Sequence, residues 1–366
     1  PALKLYGEAI RLQRELVEKP ETGEVPLAEA QASLAATLMD AADLYRRAGL
    51  FPQALPLAEE ALKLFQEVVK APATPYTANA AQAAAEATLL VGRIQTRLGR
   101  DEDAERSLTA AVNEHRKLQQ AAPSNTNQQG LTARAARERG DFLLMRNKLE
   151  AATPDHELDL ALTRGLFQIP EVILAQAELA DVYYRSATLA LKKGDRAKAK
   201  DLYRKCLDLR VAVADARSVD FRQPFFVANA QARCGLHAEA FEAMDRQATA
   251  KPADRYIVRQ AAFNIALCAD AVQGGRPDEK LTAEEKTLRD RYLDRSLGLL
   301  EALATRFASA NDAKVAWFKA GSGQAMQLLK DRKGDMALAH APAAEKQAVE
   351  DGWATGRRAG GGHPFS

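Results

Sequence analysis

Groups that would carry chemistry are sparse in this chain. It holds three cysteines, Cys206, Cys234 and Cys268, far apart, with no CxxC pair and no histidine at ligand spacing. A disulfide framework and a structural zinc site are therefore not indicated; the three read as core thiols, which favours a reducing, cytoplasmic address. Aromatic residues make up only 6% of the chain, and runs of β-branched residues are few, so little is offered to a sheet. No apolar stretch approaches the roughly 20 residues that cross a bilayer, and no signal-type start is present, so no membrane insertion is expected of this segment. Lys and Arg number 51 against 49 Asp and Glu, a balance that gives nucleic-acid binding no global electrostatic support. The histidines, His115, His156, His237, His340 and His363, are scattered, form no HExxH and read as surface residues. Gly321, Ser322 and Gly323 have no lysine in phosphate-loop register. The expectation is a non-catalytic segment with no metal and no cofactor.

What the chain does have is alanine, a strong helix former that also permits close packing, and a recurring triplet. Gly49, Ala54 and Ala61 are echoed by Gly99, Ala104 and Ala111, and again by Gly194, Ala199 and Cys206, always at offsets of five and twelve residues. A glycine just past a helix end can take the left-handed capping conformation, and small residues at those offsets let two helices approach without voids. Around the first triplet, Leu38, Ala41, Ala42 and Tyr45 precede the glycine at helical spacing, and Leu55, Ala58, Ala61, Leu62 and Phe65 follow it. The pattern predicts helix, tight turn, helix.

With these residues in place the chain resembles the tetratricopeptide repeat. That family has small or apolar residues at its fourth, seventh and eighth positions, an aromatic at the eleventh, glycine at the fifteenth, and small residues at the twentieth and twenty-seventh. Residues 35–61 match with Leu38, Ala41, Ala42, Tyr45, Gly49, Ala54 and Ala61. Residues 85–111 match except for Gln95 in the aromatic slot, residues 180–206 match through Tyr183, Ala187, Gly194, Ala199, Tyr203 and Cys206, and residues 221–247 are degenerate, with Gln231 and Gln247 out of pattern. The Gly99 to Gly194 interval leaves room for two units. A divergent repeat is expected there within 125–168, with helices near 132–149 and 155–168 but no turn glycine. The resemblance implies an all-α, right-handed superhelical solenoid over 1–335, degenerate near 125–168 and after 220, and a weakly structured tail over 336–366.

Both ends of the array carry further expectations. Residues 2–17 read as the second helix of a repeat whose first helix is missing, from excision out of a longer polypeptide or as a natural capping helix. Helices are expected over 253–272, 282–307 and 312–330, with Gly274 and Gly275 as a helix terminus and Thr282 with Glu284 and Glu285 as a helix cap. The run from Lys192 to Lys200 reads as a solvated face.

In this family the first helices of successive pairs line a concave groove that receives an extended peptide or a partner helix. Carrying the groove positions over gives Met39, Asp43, Arg46 and Arg47; Glu86, Leu89, Arg93 and Arg97; Asp181, Tyr184, Thr188 and Lys192; Arg222, Phe225, Asn229 and Arg233. The resemblance thus implies a protein-interaction scaffold. The arginines suit a guest segment with Asp or Glu beside an apolar anchor near Tyr184 or Phe225, unless they pair with local acids such as Asp43 and Glu86. A weaker likeness, carried by residues 193–215 and the stretch that follows, is to the repeat arrays attached C-terminally to bacterial serine/threonine protein kinases. It implies a docking or sensing arm of such a signalling protein. Nothing here resembles the kinase catalytic motifs.

Overall fold

A computed structural model of the chain describes residues 2–18, 26–72, 74, 79–167, 173–217 and 220–310. Among them lie thirteen α-helices and no strand: α1 Ala2–Glu18, α2 Leu27–Arg47, α3 Phe51–Val68, α4 Ala80–Arg97, α5 Asp101–Ala121, α6 Thr126–Met145, α7 Leu149–Leu166, α8 Ile173–Lys192, α9 Arg196–Ala216, α10 Gln223–Arg233, α11 His237–Ala250, α12 Arg255–Gln273 and α13 Ala283–Ala310. A short 3-10 turn, Asp278–Lys280, precedes α13. The expected helix over 312–330 and the tail over 336–366 lie outside the described residues. The chain divides into two compact units, Pro1–Ala240 and Phe241–Ser366.

In the first unit α2 packs on α3, α4 on α5, α6 on α7 and α8 on α9, and each pair also packs on the next, so the unit is a TPR-like array of helix hairpins. Its turns share one hydrogen-bond closure. The amides of Leu50, Arg100, Lys148, Asp195 and Leu236 donate to the carbonyls of Tyr45, Gln95, Leu143, Ala190 and Gln231, five residues back, at 2.9–3.0 Å. This closure needs the residue before the donor in the left-handed region. Gly49, Gly99, Gly194 and Gly235 supply it with φ of 76°, 71°, 84° and 86°.

The remaining turn uses Asn147, at φ 57°. Asparagine is among the few residues with a side chain that visit this region routinely. The divergent repeat thus has its turn midway between Gly99 and Gly194, without a glycine to announce it. Its helices begin earlier than expected, α6 at Thr126 and not near 132, α7 at Leu149 and not at 155. Asn125 starts α6 by accepting the Gln128 amide at 3.0 Å, and the Asn147 turn starts α7. Gly99→Ala is expected to lower stability by about 1–2 kcal/mol through strain at positive φ, whereas Asn147→Gly should be neutral or stabilising by up to about 1 kcal/mol. Urea titrations followed by circular dichroism compare the two.

Packing follows the triplet. Ala54, Ala61, Ala104, Ala111, Ala199 and Cys206 are at most 2% exposed. Gly92 marks a close approach: a Cβ added there would lie 2.9 Å from Leu108 Cγ, so α4 and α5 meet where no side chain fits without a shift. Gln95, in the aromatic slot, is buried but satisfied, its Oε1 accepting the Ser107 hydroxyl at 2.8 Å. Cys206 is buried and Cys234 half-buried. Lys192, Lys193, Arg196, Lys198 and Lys200 are all exposed.

Within the second unit α12 and α13 pack as a pair. Gly274 ends α12 in the left-handed conformation, φ 58°. Thr282 and Glu285 form a reciprocal cap for α13, the Glu285 amide donating to Thr282 Oγ1 at 3.1 Å and the Thr282 amide to Glu285 Oε2 at 2.9 Å. Tyr292 lies against Phe241 with ring centroids 4.6 Å apart, and Ser296 bonds the Ala262 carbonyl at 2.8 Å.

Candidate partner-binding face

The groove positions carried over from the family fall on the first helices of the pairs: Met39, Asp43 and Arg46 on α2, Arg93 and Arg97 on α4, Tyr184 and Lys192 on α8, Phe225, Asn229 and Arg233 on α10. Helix α6, in the divergent repeat, belongs to the same series. First helices touch one another across repeats, α2 to α4 and α4 to α6. Opposite charges bridge them. Arg134 on α6 reaches Glu86 on α4 at 3.0 Å, Arg93 on α4 reaches Glu138 on α6 at 3.2 Å, Arg137 on α6 reaches Glu178 on α8 at 3.2 Å, and Arg185 on α8 reaches Asp141 on α6 at 3.1 Å. The result is a ladder of half-buried ion pairs across α4, α6 and α8.

Acids therefore hold several of the arginines. On α2, Asp43 accepts from Arg46 at 2.8 Å and from Arg47 at 2.6 Å. Burial alone would push the Asp43 carboxyl up, but the two guanidinium groups outweigh it and hold it below the ordinary carboxylate range. Asp181 on α8 pairs with Arg210 of α9, whose guanidinium also lies 4.5 Å from the Phe226 ring centroid. Arg97 and Lys192 are exposed and have no ion-pair partner among the described residues.

The apolar candidates differ. Tyr184 is half-buried, edge-on to Tyr203 at 5.4 Å, and the Tyr203 hydroxyl shares a 3.0 Å hydrogen bond with Thr188. Burial raises the Tyr203 phenol to about 12, so it stays a neutral hydroxyl. Phe225 is only 4% exposed and Asn229 9%, placing both in the packing of α10, while Met39 and Arg233 are half-buried.

Beneath the ladder lies a cluster that the sequence reading missed. Asp155 and Asp159 on α7 are fully buried, and each takes a two-pronged guanidinium from α6: Arg139 to Asp155 at 2.6 Å twice, Arg137 to Asp159 at 3.0 and 3.1 Å. Counted from Asn147, Ala152 and Asp159 sit at offsets five and twelve, so an ion-paired aspartate occupies the slot that is small after Gly49, Gly99 and Gly194. His156 is buried as well, against Gly140, with its Nε2 4.0 Å from Asp141. His115 is buried between α5 and α6, where Gln128 Nε2 approaches its Nδ1 at 3.1 Å. The surface reading of these two histidines is corrected: both fall on the packed side of their helices. The charges of the ladder recur about one repeat apart on successive first helices, but that spacing alone does not tell which of them meet.

No family model matches the chain, and no curated protein matches it. Among solved structures it is similar to BtubC (BKLC) from P. vanneervenii at 14% identity over 87% of this chain and 95% of that one, TM-score 0.46. It is similar to RapI in its apo form at 10% identity over 83% and 97%, TM-score 0.43. A kinesin-light-chain-like protein of Podosopora anserina with nearly identical TPR-like repeats aligns at 18% identity over 61% and 98%, TM-score 0.38.

Proposed function

We propose that this chain is a non-catalytic interaction scaffold and that the first-helix face of its first unit receives an acidic segment of a partner protein. The continuity of the face through α4, α6 and α8, tied by the four bridges just described, is the observation that carries the reading. A strip of half-buried paired charge suits an extended guest read by polar contacts, and it discriminates against wrongly charged guests more than it adds affinity. Exposed Arg97 and Lys192 supply the uncompensated positive charge, and the half-buried Tyr184 ring supplies the apolar anchor point. Phe225 is already consumed by packing.

The test uses the full chain and a fluorescent 15-residue peptide rich in Asp and Glu with one central Phe, followed by anisotropy. Arg97→Glu and Lys192→Glu are each expected to weaken binding by about fivefold, roughly 1 kcal/mol, and more so at low salt. Arg93 is a poor probe because its removal strands Glu138. Equal affinity for a Lys-substituted peptide, or no response to either variant, defeats the assignment.

A further inference from the structure

Helix α1 has two apolar faces, and the described residues cover one of them. Tyr6, Ile10 and Val17 pack against Leu34, Leu38 and Ala41 of α2 and Ala61 of α3, and Ile10 is 7% exposed. The adjoining stripe is Leu5, Ala9, Leu12 and Leu16, with the three leucines 66%, 48% and 56% exposed. Single exposed leucines are ordinary on any surface. Leu5, Ala9, Leu12 and Leu16 fall at intervals of four, three and four residues, which is the spacing of a coiled-coil seam that takes a second helix.

The edge of the stripe says which helix. Glu8 and Glu15 lie one heptad apart along the side away from α2 and are exposed. Glu8 has no ion-pair partner among the described residues, and Glu15 holds only Arg11, an exposed i,i+4 pair at 2.6 Å that is cheaply exchanged. The opposite edge is occupied, Gln13 donating to Ser33 Oγ at 3.0 Å. We infer that the Leu5, Leu12 and Leu16 face of α1 docks an amphipathic helix of another protein whose leucine stripe is bordered by Lys or Arg facing Glu8 and Glu15. A second copy of this chain fits worse in the antiparallel arrangement, which sets Glu8 of one copy beside Glu15 of the other, and gains no charge pair in the parallel one, where Glu8 faces Gln13.

The probe is a 21-residue helical peptide with Leu at every a and d position and Lys at every e and g position; its control carries Glu at e and g. The full chain is expected to bind the Lys peptide saturably and the Glu peptide at least about tenfold more weakly. Glu8→Lys combined with Glu15→Lys should reverse that order. Leu12→Ser combined with Leu16→Ser should cut binding of the Lys peptide by about tenfold or more with an unchanged circular dichroism spectrum, while Arg97→Glu leaves it unaltered. The inference is overturned by absence of saturable binding, by affinity indifferent to the serine variant, or by a Leu12-dependent dimer in sedimentation, which would put a second copy on this face.

Discussion

Asp159→Ala is expected to destabilise the first unit by about 3–5 kcal/mol, the cost of removing one partner from a buried ion pair. Asp159 is fully buried, accepts both prongs of Arg137 and also the Thr163 hydroxyl at 3.1 Å. Burial works against the Arg137 charge, but Asp159, with Glu178 beyond it, overcomes that and drives its pKa above the ordinary guanidinium value. Alanine would strand a cation between α6 and α7 with only Glu178, which is 53% exposed, to answer it. Arg137→Met combined with Asp159→Leu is the control, since apolar replacement of both partners is often neutral or stabilising. Urea denaturation reads both variants. A loss below about 1 kcal/mol for Asp159→Ala would mean that the pair is solvated and of the weak surface kind.

The second large effect is a pH dependence centred on His115. Burial, opposed by Glu86 and assisted by Arg134, lowers its pKa to about 4 from 6.5. The unfolded chain therefore takes up a proton near pH 6.5 that the folded chain refuses until about pH 4. The unfolded state binds more protons throughout that window, so stability is full above it and is lost as pH falls. The loss is on the order of 2–3 kcal/mol between pH 7 and pH 4. His115→Leu should remove this part of the slope, and the difference between the two proteins isolates it. Glu114, raised by burial, acts in the opposite sense but in both proteins alike. Gln128 Nε2 keeps the residue-115 carbonyl, 3.2 Å away, as an acceptor in the variant. Parallel curves for variant and wild type between pH 7 and pH 4 would show that this histidine does not carry the effect.

The hairpins around Gly49, Gly99 and Gly194 were legible because glycine is favoured where a backbone turns left-handed and small residues are favoured where two helices nearly touch. The hairpin around Asn147 was not, because asparagine satisfies the turn without the glycine signal and Asp159 replaces a small residue with one that a neighbour neutralises. Pairing of that kind is a property of two helices, and one sequence shows only one at a time. The same reason hid the bridges that tie Arg93 to Glu138 and Arg134 to Glu86: arginine and glutamate on a helix look alike whether they face water or each other. Phe225 matched its groove position by register, yet register does not reveal how much of a short helix such as α10 is used for packing.

The uniform closures have a consequence for how the molecule assembles. Within the first unit each of these bends is completed by residues five positions apart and, among the described residues, the hairpins pack chiefly on their neighbours, so few sequence-distant partners are awaited. Folding can begin at any hairpin and spread both ways, as in a chain of coupled links, and should be fast for the length. Among the described residues, the link at α6 and α7 is the one held by fully buried carboxylates, Asp155 and Asp159. Cutting it would leave the hairpins on either side free to melt as separate blocks.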